Sequence, residues 1–315
     1  MGLQANLSRG LQLPAISAPM FLVSGPEMVI AACRAGVIGS FPSPNARTPE
    51  ILHQWMAQIV AELAASENAA CWAANLMVHP SNDRLPADLE CVLQHKPPLV
   101  ITALGSPARV VDAVHSYGGL VFADVNSVSF ARKAAATGVD GLVLVASGAG
   151  GHTGLTAGFA FVEEVRQFWD GPIALGGAIS SGRAIRAAET LGAELAYLGT
   201  AFIACEESIA DPAYKDMVVG ANVEDILPSK GITGVTANWL RKSLIAAGYD
   251  PANMPEDKKP NFENTQDNSK AWKNVWSAGQ GVGAVTAVEP IAQIVARLKA
   301  EYDFACKLPR FDMKE

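Results

Sequence analysis

Positive charge is scarce in this chain. Its 315 residues carry 24 Lys and Arg against 31 Asp and Glu, a net charge of −7, and the only adjacent lysines, Lys258 and Lys259, lie in a mixed-charge segment. Nucleic acids and anionic membranes both require clustered Lys and Arg, so neither is expected as a partner. Cysteine is also sparse: five residues, scattered, with no C-x-x-C pair. That pattern excludes a disulfide framework and the common zinc spacings, and it fits the reduced thiols of a cytoplasmic protein. No apolar run approaches the roughly 18 residues of a membrane span, and residues 1–13 lack the apolar core of a signal peptide. The G-x-x-x-x-G-K-S/T and G-x-S-x-G motifs are missing, and His53, His79, His95 and His115 show no metal-ligand spacing. The run from Gly279 to Ala284 formally matches a dinucleotide pattern, but no strand–helix unit surrounds it, so it carries little weight.

What the chain does have is a regular alternation. Half of its residues are hydrophobic, and short β-rich runs recur at 15–18, 37–40, 71–76, 99–102, 120–124, 141–145, 172–175 and 195–198. Helix signals separate them. Ser24, Thr48, Ser106 and Ser181 stand as caps, Pro26, Pro49 and Pro107 open first turns, and Gly36 and Gly192 close two helices. Strands apolar on both faces, alternating with helices, imply a parallel sheet, and eight such units favour a closed (β/α)8 TIM barrel over an open sheet. The barrel is expected over residues 1–205, with a final helix in 286–315 completing it. Residues 206–285 break the alternation. They read as a small, mostly helical inserted domain, with short helices at 214–220 and 239–247 and a long polar excursion at 250–274 that is a candidate lid.

In such a barrel functional residues follow strands, and the unusual loops of this chain lie there. The sixth run leads into Ala146-Ser147-Gly148-Ala149-Gly150-Gly151-His152-Thr153-Gly154, with four glycines in the last seven positions and one imidazole. Glycines let backbone amides approach a ligand closely, and a histidine exchanges protons near neutral pH. The seventh and eighth runs end in Gly176-Gly177-Ala178 and Gly199-Thr200, which is where this barrel places its phosphate site. The first ends in Ala18-Pro19-Met20-Phe21 and the third carries Asn75. Small residues and a polarisable Met suit a flat ring, and Asn75 offers its edge a donor and an acceptor. A phosphate and a planar ring in one barrel point to FMN.

These elements, with Trp276-Ser277-Ala278-Gly279-Gln280 late in the chain, resemble the nitronate monooxygenase family, formerly called 2-nitropropane dioxygenases. The family is similar in turn to FMN-dependent enoyl-thioester reductases and NAD(P)H-dependent quinone or acyl-CoA reductases. The resemblance implies an FMN barrel that oxidises alkyl nitronates with O2 to a carbonyl compound and nitrite. His152 is then the residue that takes the α-proton of a nitroalkane or contacts substrate. Pro19, Met20, Phe21 and Asn75 line the flavin, Gly177, Ala178, Gly199 and Thr200 hold its phosphate, and the Gln280 loop reaches the site. Ala18, Ala149, Gly150, Gly151 and Gly176 complete the cofactor-binding set, together with Asp124. The alternative is an NAD(P)H-dependent FMN reductase of thioesters or quinones. Two positions depart from the family pattern. Gly148 stands where many members carry Glu, and Asp124 where they carry Lys or Gln. An ionised Asp124 would oppose an anionic reduced flavin, so it is expected to turn away, to be held by Lys133 or Arg132, or to mark different redox chemistry.

Overall fold

A computed structural model describes residues 3–256 and 274–308. Its strands are β1 (Ala15–Ser17), β2 (Ile38–Pro42), β3 (Trp72–Met77), β4 (Leu99–Ala103), β5 (Leu120–Val125), β6 (Gly141–Val145), β7 (Gly151–His152), β8 (Ile173–Gly176), β9 (Leu195–Leu198), β10 (Ile226–Ser229) and β11 (Ala237–Leu240). Eight of them form a closed parallel barrel in the order β1-β2-β3-β4-β5-β6-β8-β9, and β9 returns to β1 with Ile16 opposite Tyr197. The eight barrel strands coincide with the eight runs expected from the sequence, each within two residues at either end.

Two apolar layers explain why those runs are hydrophobic on both faces. One fills the barrel: Ile16, Ile38, Ala73, Leu99, Ile101, Leu120, Phe122, Val143, Ala174 and Leu195 point inward, and Leu7, from the short N-terminal helix Ala5–Ser8, packs with them. The other lies between strands and helices, where Met28, Val29, Leu52, Met56, Val92, Phe161 and Ile185 meet the outward residues of the sheet. Burying a side chain of this size stabilises the fold by about 1.5–3 kcal/mol, so each strand is held from both sides.

Helix punctuation is followed in part. Thr48 accepts from the Ile51 amide and Ser181 from the Ala184 amide, and Gly36 and Gly192 close their helices in the left-handed conformation. Ser24 does not cap: Gly25 takes the N-cap position, and the Ser24 hydroxyl instead accepts from the Met20 amide at 3.0 Å, shaping the loop after β1. Ser106 does not cap either, and a 3-10 turn, Pro107–Arg109, precedes the helix Val111–His115.

The insertion differs most from expectation. Its helices Pro212–Val219 and Arg241–Ala246 are joined by two strands that the sequence pattern does not announce. Trp239 and Leu240, expected as the start of a helix, belong to β11 instead. β10 and β11 pair antiparallel, and β11 pairs in turn with β7, setting Ala237 opposite His152 and Asn238 opposite Gly151. Trp239, Ile232, Leu244 and Val275 form a small core of their own beneath this sheet. Most of the excursion named as a lid, residues 257–273, lies outside the described residues. The final helix, Ile291–Cys306, packs on the barrel through Ile291, Ile294, Val295 and Leu298. Among the described residues no helix is long and apolar enough to cross a membrane.

Candidate active site

A cavity of about 1220 Å³ opens where the barrel strands end. It takes residues from the loop after every barrel strand, as this architecture requires, and from the insertion. Fifteen of the sixteen residues named from the sequence line it: Ala18, Pro19, Met20, Phe21, Asn75, Asp124, Ala149, Gly150, Gly151, His152, Gly176, Gly177, Ala178, Gly199 and Thr200. Gln280 does not. Its side chain is exposed, and its backbone amide donates instead to the Gly148 carbonyl at 2.9 Å.

One side of the cavity is made of interlocked backbone. The Gly148 carbonyl also accepts from the Ala178 amide at 3.1 Å, and the Gly279 amide donates to Thr200 Oγ1 at 2.8 Å. A Cβ on Gly148 would stand 2.8 Å from Ala178 Cβ, one on Gly150 2.7 Å from the Gly279 nitrogen, and one on Gly279 2.7 Å from the Gly148 oxygen. The loops after β6, β8 and β9 and the segment 278–281 therefore close on one another only because these positions lack side chains. Gly148 has this packing reason to be glycine. The Gly279 to Ala284 motif, which resembled a dinucleotide site, is the clasp of this assembly.

The insertion fixes the histidine loop. Besides the β7–β11 pairing, the Thr153 amide donates to Thr236 O at 3.0 Å and Thr153 Oγ1 to Ala146 O at 2.8 Å. Asn238, fully buried, donates through Nδ2 to Ser147 O at 3.0 Å and to Ala149 O at 2.7 Å. His152 is thus held in a short strand, half-buried at the cavity wall. Desolvation lowers its pKa to about 4, so the imidazole is neutral at physiological pH.

The opposite side is built from side chains. Asn75 donates through Nδ2 to Ile101 O at 3.0 Å, which commits part of the donor capacity expected to face a ligand. Asn45 clamps the loop after β1: its Oδ1 accepts from the Leu22 amide at 2.9 Å while Nδ2 donates to Met20 O and Ser24 O. Leu22, Leu104 and Ala178 adopt left-handed backbone angles, φ between 57° and 60°, and all three line the cavity. Such strain persists only where surrounding structure enforces it, and it gathers at functional sites. Buried Asp88 at the rim accepts from Ser43 Oγ at 2.7 Å and from Arg84 Nε at 2.9 Å. Tyr214 stacks on Trp276 at 5.2 Å and donates to the Ser277 carbonyl, bringing the late Trp276-Ser277 segment to the cavity.

Asp124 faces the cavity, so it has not turned away, and neither proposed cation holds it. The Arg132 guanidinium lies over the Phe168 ring, 3.9 Å from its centre, and Lys133 Nζ over Phe130 at 5.5 Å. Of the other histidines, His53 and His95 contact each other at 3.0 Å, His115 pairs with Asp140, and His79 reaches the cavity. Among the described residues no group of His, Cys, Asp and Glu could hold a metal ion.

Sequence reasoning missed Tyr197, Asn45 and Asn238. Tyr197 had a usable signal, because it alternates with Leu195 on one face of a strand that leads directly into Gly199. The two asparagines act across more than twenty and eighty residues of chain, and nothing local marks them.

The chain matches the family model described as nitronate monooxygenase over residues 7–301. A nitronate monooxygenase of Paraburkholderia phytofirmans is 27% identical over 93% of both chains. A Mycobacterium tuberculosis protein named for a monooxygenase activity is 34% identical over 174 residues, which span 55% of this chain and 45% of that one. The crystal structure of a nitroalkane oxidase from Streptomyces ansochromogenes superposes with a TM-score of 0.81 at 23% identity, covering 96% of this chain and 99% of the other, and so shares the fold.

Proposed function

Because the chain belongs to the nitronate monooxygenase family, we propose that it is an FMN-dependent enzyme oxidising alkyl nitronates with O2 to a carbonyl compound and nitrite. The observation that carries this reading is the placement of one neutral histidine on the wall of a cavity whose other walls are a glycine cradle and side chains carried on the barrel strands. Single-ligand pockets run to about 300–1,000 Å³. A volume near 1220 Å³ has room for a cofactor and a substrate together.

The residues present fit FMN. Gly177, Ala178, Gly199 and Thr200 would take the phosphate, with Gly199 and Thr200 opening a short helix whose first amides have no partner within the helix. Pro19, Met20, Phe21 and Asn75 would lie along the ring. Bound FMN supplies the electron acceptor that no side chain of this protein can provide.

The chain's own contribution is proton handling and exclusion of water. A neutral His152 accepts the α-proton of a nitroalkane. Its low basicity in a desolvated wall is compensated as the nitronate forms, because the new anion stabilises the new imidazolium at short range. The β7–β11 pairing holds the ring in place for this transfer, and the insertion covers one side of the site. A substrate that arrives already deprotonated makes no demand on this step.

His152→Asn should therefore lower kcat/KM on neutral nitroalkane by about 10²-fold or more while leaving activity on the preformed nitronate within a few fold. Equal losses on both forms would remove the base role. Anaerobic titration of the FMN-loaded protein separates the monooxygenase from a reductase. Loss of visible absorbance with propyl nitronate alone supports the former, and loss with NADH or NADPH alone supports a reductase of thioesters or quinones.

A further inference from the structure

The barrel interior is apolar up to its last layer, and there it carries two polar groups with no hydrogen-bond partner among the described residues. Asp124 continues the inward-facing series of Leu120 and Phe122 along β5, lines the cavity, and makes no hydrogen bond or ion pair among the described residues. Tyr197, inward-facing on β9 and only 9% exposed, has a buried hydroxyl without a hydrogen-bond partner. The two lie within each other's electrostatic reach, since the Asp124 charge opposes ionisation of Tyr197. The remaining titratable groups facing this cavity are His152 on its wall and His79, Arg47, Lys133, Asp211, Tyr214 and the Arg84–Asp88 pair around it. Among the described residues none forms an ion pair with Asp124. Burial without a compensating charge pushes the Asp124 carboxyl up to about 7 and the Tyr197 phenol well above its usual value.

An unpartnered carboxylate on an apolar floor is costly, whereas a carboxylic acid is a hydrogen-bond donor that costs far less to bury. We propose that Asp124 works as a neutral acid and that, with the Tyr197 hydroxyl, it forms a donor pair on the cavity floor that binds an oxygen acceptor gaining negative charge. The inference rests on the function proposed above for the identity of that acceptor. Two sources share the chemistry: a ring carbonyl of the flavin, or the oxygens of an anionic substrate. Ionisation of Asp124 would turn the pair from attractive to repulsive, so the site binds anions below neutral pH and releases them above it.

Three measurements on the wild type, Asp124→Asn, Asp124→Leu and Tyr197→Phe test this. In flavin-free protein, infrared difference spectra between wild type and Asp124→Asn should contain a carboxylic acid carbonyl band at pH 6 that disappears by pH 9. In FMN-loaded protein without substrate, the visible spectrum should show one proton transition near neutrality that Asp124→Asn abolishes and Tyr197→Phe displaces. Benzoate, anionic throughout this range, should bind with a dissociation constant that rises toward tenfold per pH unit above the transition in the wild type. In Asp124→Asn, which keeps a neutral donor, it should not change with pH, and in Asp124→Leu it should be weak at every pH. A response of the flavin assigns the acceptor to the cofactor, and a response of benzoate alone assigns it to the substrate. No carboxylic acid band at pH 6, or no effect of Asp124 on either ligand, overturns the proposal. Failure of FMN to bind would count against the function proposed above and not against this pair, which the infrared and benzoate measurements read without flavin.

Discussion

The two sides of the cavity are made of different material. From Gly148 to Gly151, Gly176 to Ala178 and Gly199 to Thr200 the surface is backbone, and its shape comes from loops that interlock because side chains are missing. From Asn75 through Asp124 to Tyr197 it is side chains carried on rigid strands. A backbone surface has no titratable groups, so its effect on a ligand does not change with pH. The side-chain floor does change, because Asp124 titrates near neutrality. Shape and charge are thus assigned to separate parts of one site, and each can be altered without the other.

The largest expected effect is on the floor. The Asp124 carboxyl is raised from 3.8 to about 7, so between those values the folded protein holds a proton that the unfolded chain has released. Raising pH through that window therefore costs stability, by up to about 1.4 kcal/mol per pH unit. Urea unfolding of the ligand-free protein should show Asp124→Asn gaining on the wild type from pH 4 to pH 7 and then holding a constant lead. His152, depressed to about 4, works in the opposite sense in both proteins, losing stability as pH falls, and cancels in the difference. A flat difference across the range would mean that Asp124 is ionised and paired.

Next comes the pin behind the backbone side. Asn238→Leu leaves the Ser147 and Ala149 carbonyls without their buried donor and should cost roughly 2–4 kcal/mol. Unlike the loss at the floor, this one should be independent of pH. It should also weaken FMN binding, read by fluorescence of released flavin. A pH-dependent loss would break the division between the two sides. The smallest effect belongs to neither side. Ser181→Ala removes the cap of the helix Gly182–Leu191 and should cost about 1 kcal/mol in thermal unfolding with little change in ligand affinity.

How much of this was legible depended on whether the information was local. The eight barrel strands could be read because each is a short β-rich run, five of them fully buried and the other three buried at all but one residue. The cavity residues could be read because the barrel places them at strand ends, and the glycine loops stood out there. What stayed hidden acts at a distance. β11 gains its strand conformation from pairing with β10 and with Gly151–His152, about eighty-five residues earlier, and Trp239 and Leu240 carry no local preference that outweighs a helix. Gln280 is outside the cavity lining although its neighbours Gly279 and Gly281 reach it, and its backbone amide holds the Gly148 carbonyl. Asp124 was visible as an oddity, yet only the positions of Arg132 and Lys133 over aromatic rings ruled out an ion pair.

The short pairing of Gly151–His152 with Ala237–Asn238 has a consequence for how such an enzyme changes over time. His152 belongs to the barrel by sequence and to the insertion by hydrogen bonding. Local opening of the insertion would disengage His152 while the barrel remained folded, and hydrogen exchange at residues 151–153 should follow exchange at 236–238 and not that of the barrel strands. An insertion exchanged for one of another length could keep His152 in place only by presenting a strand edge at the same height. His152 and the strand that pairs with it are therefore bound to vary together.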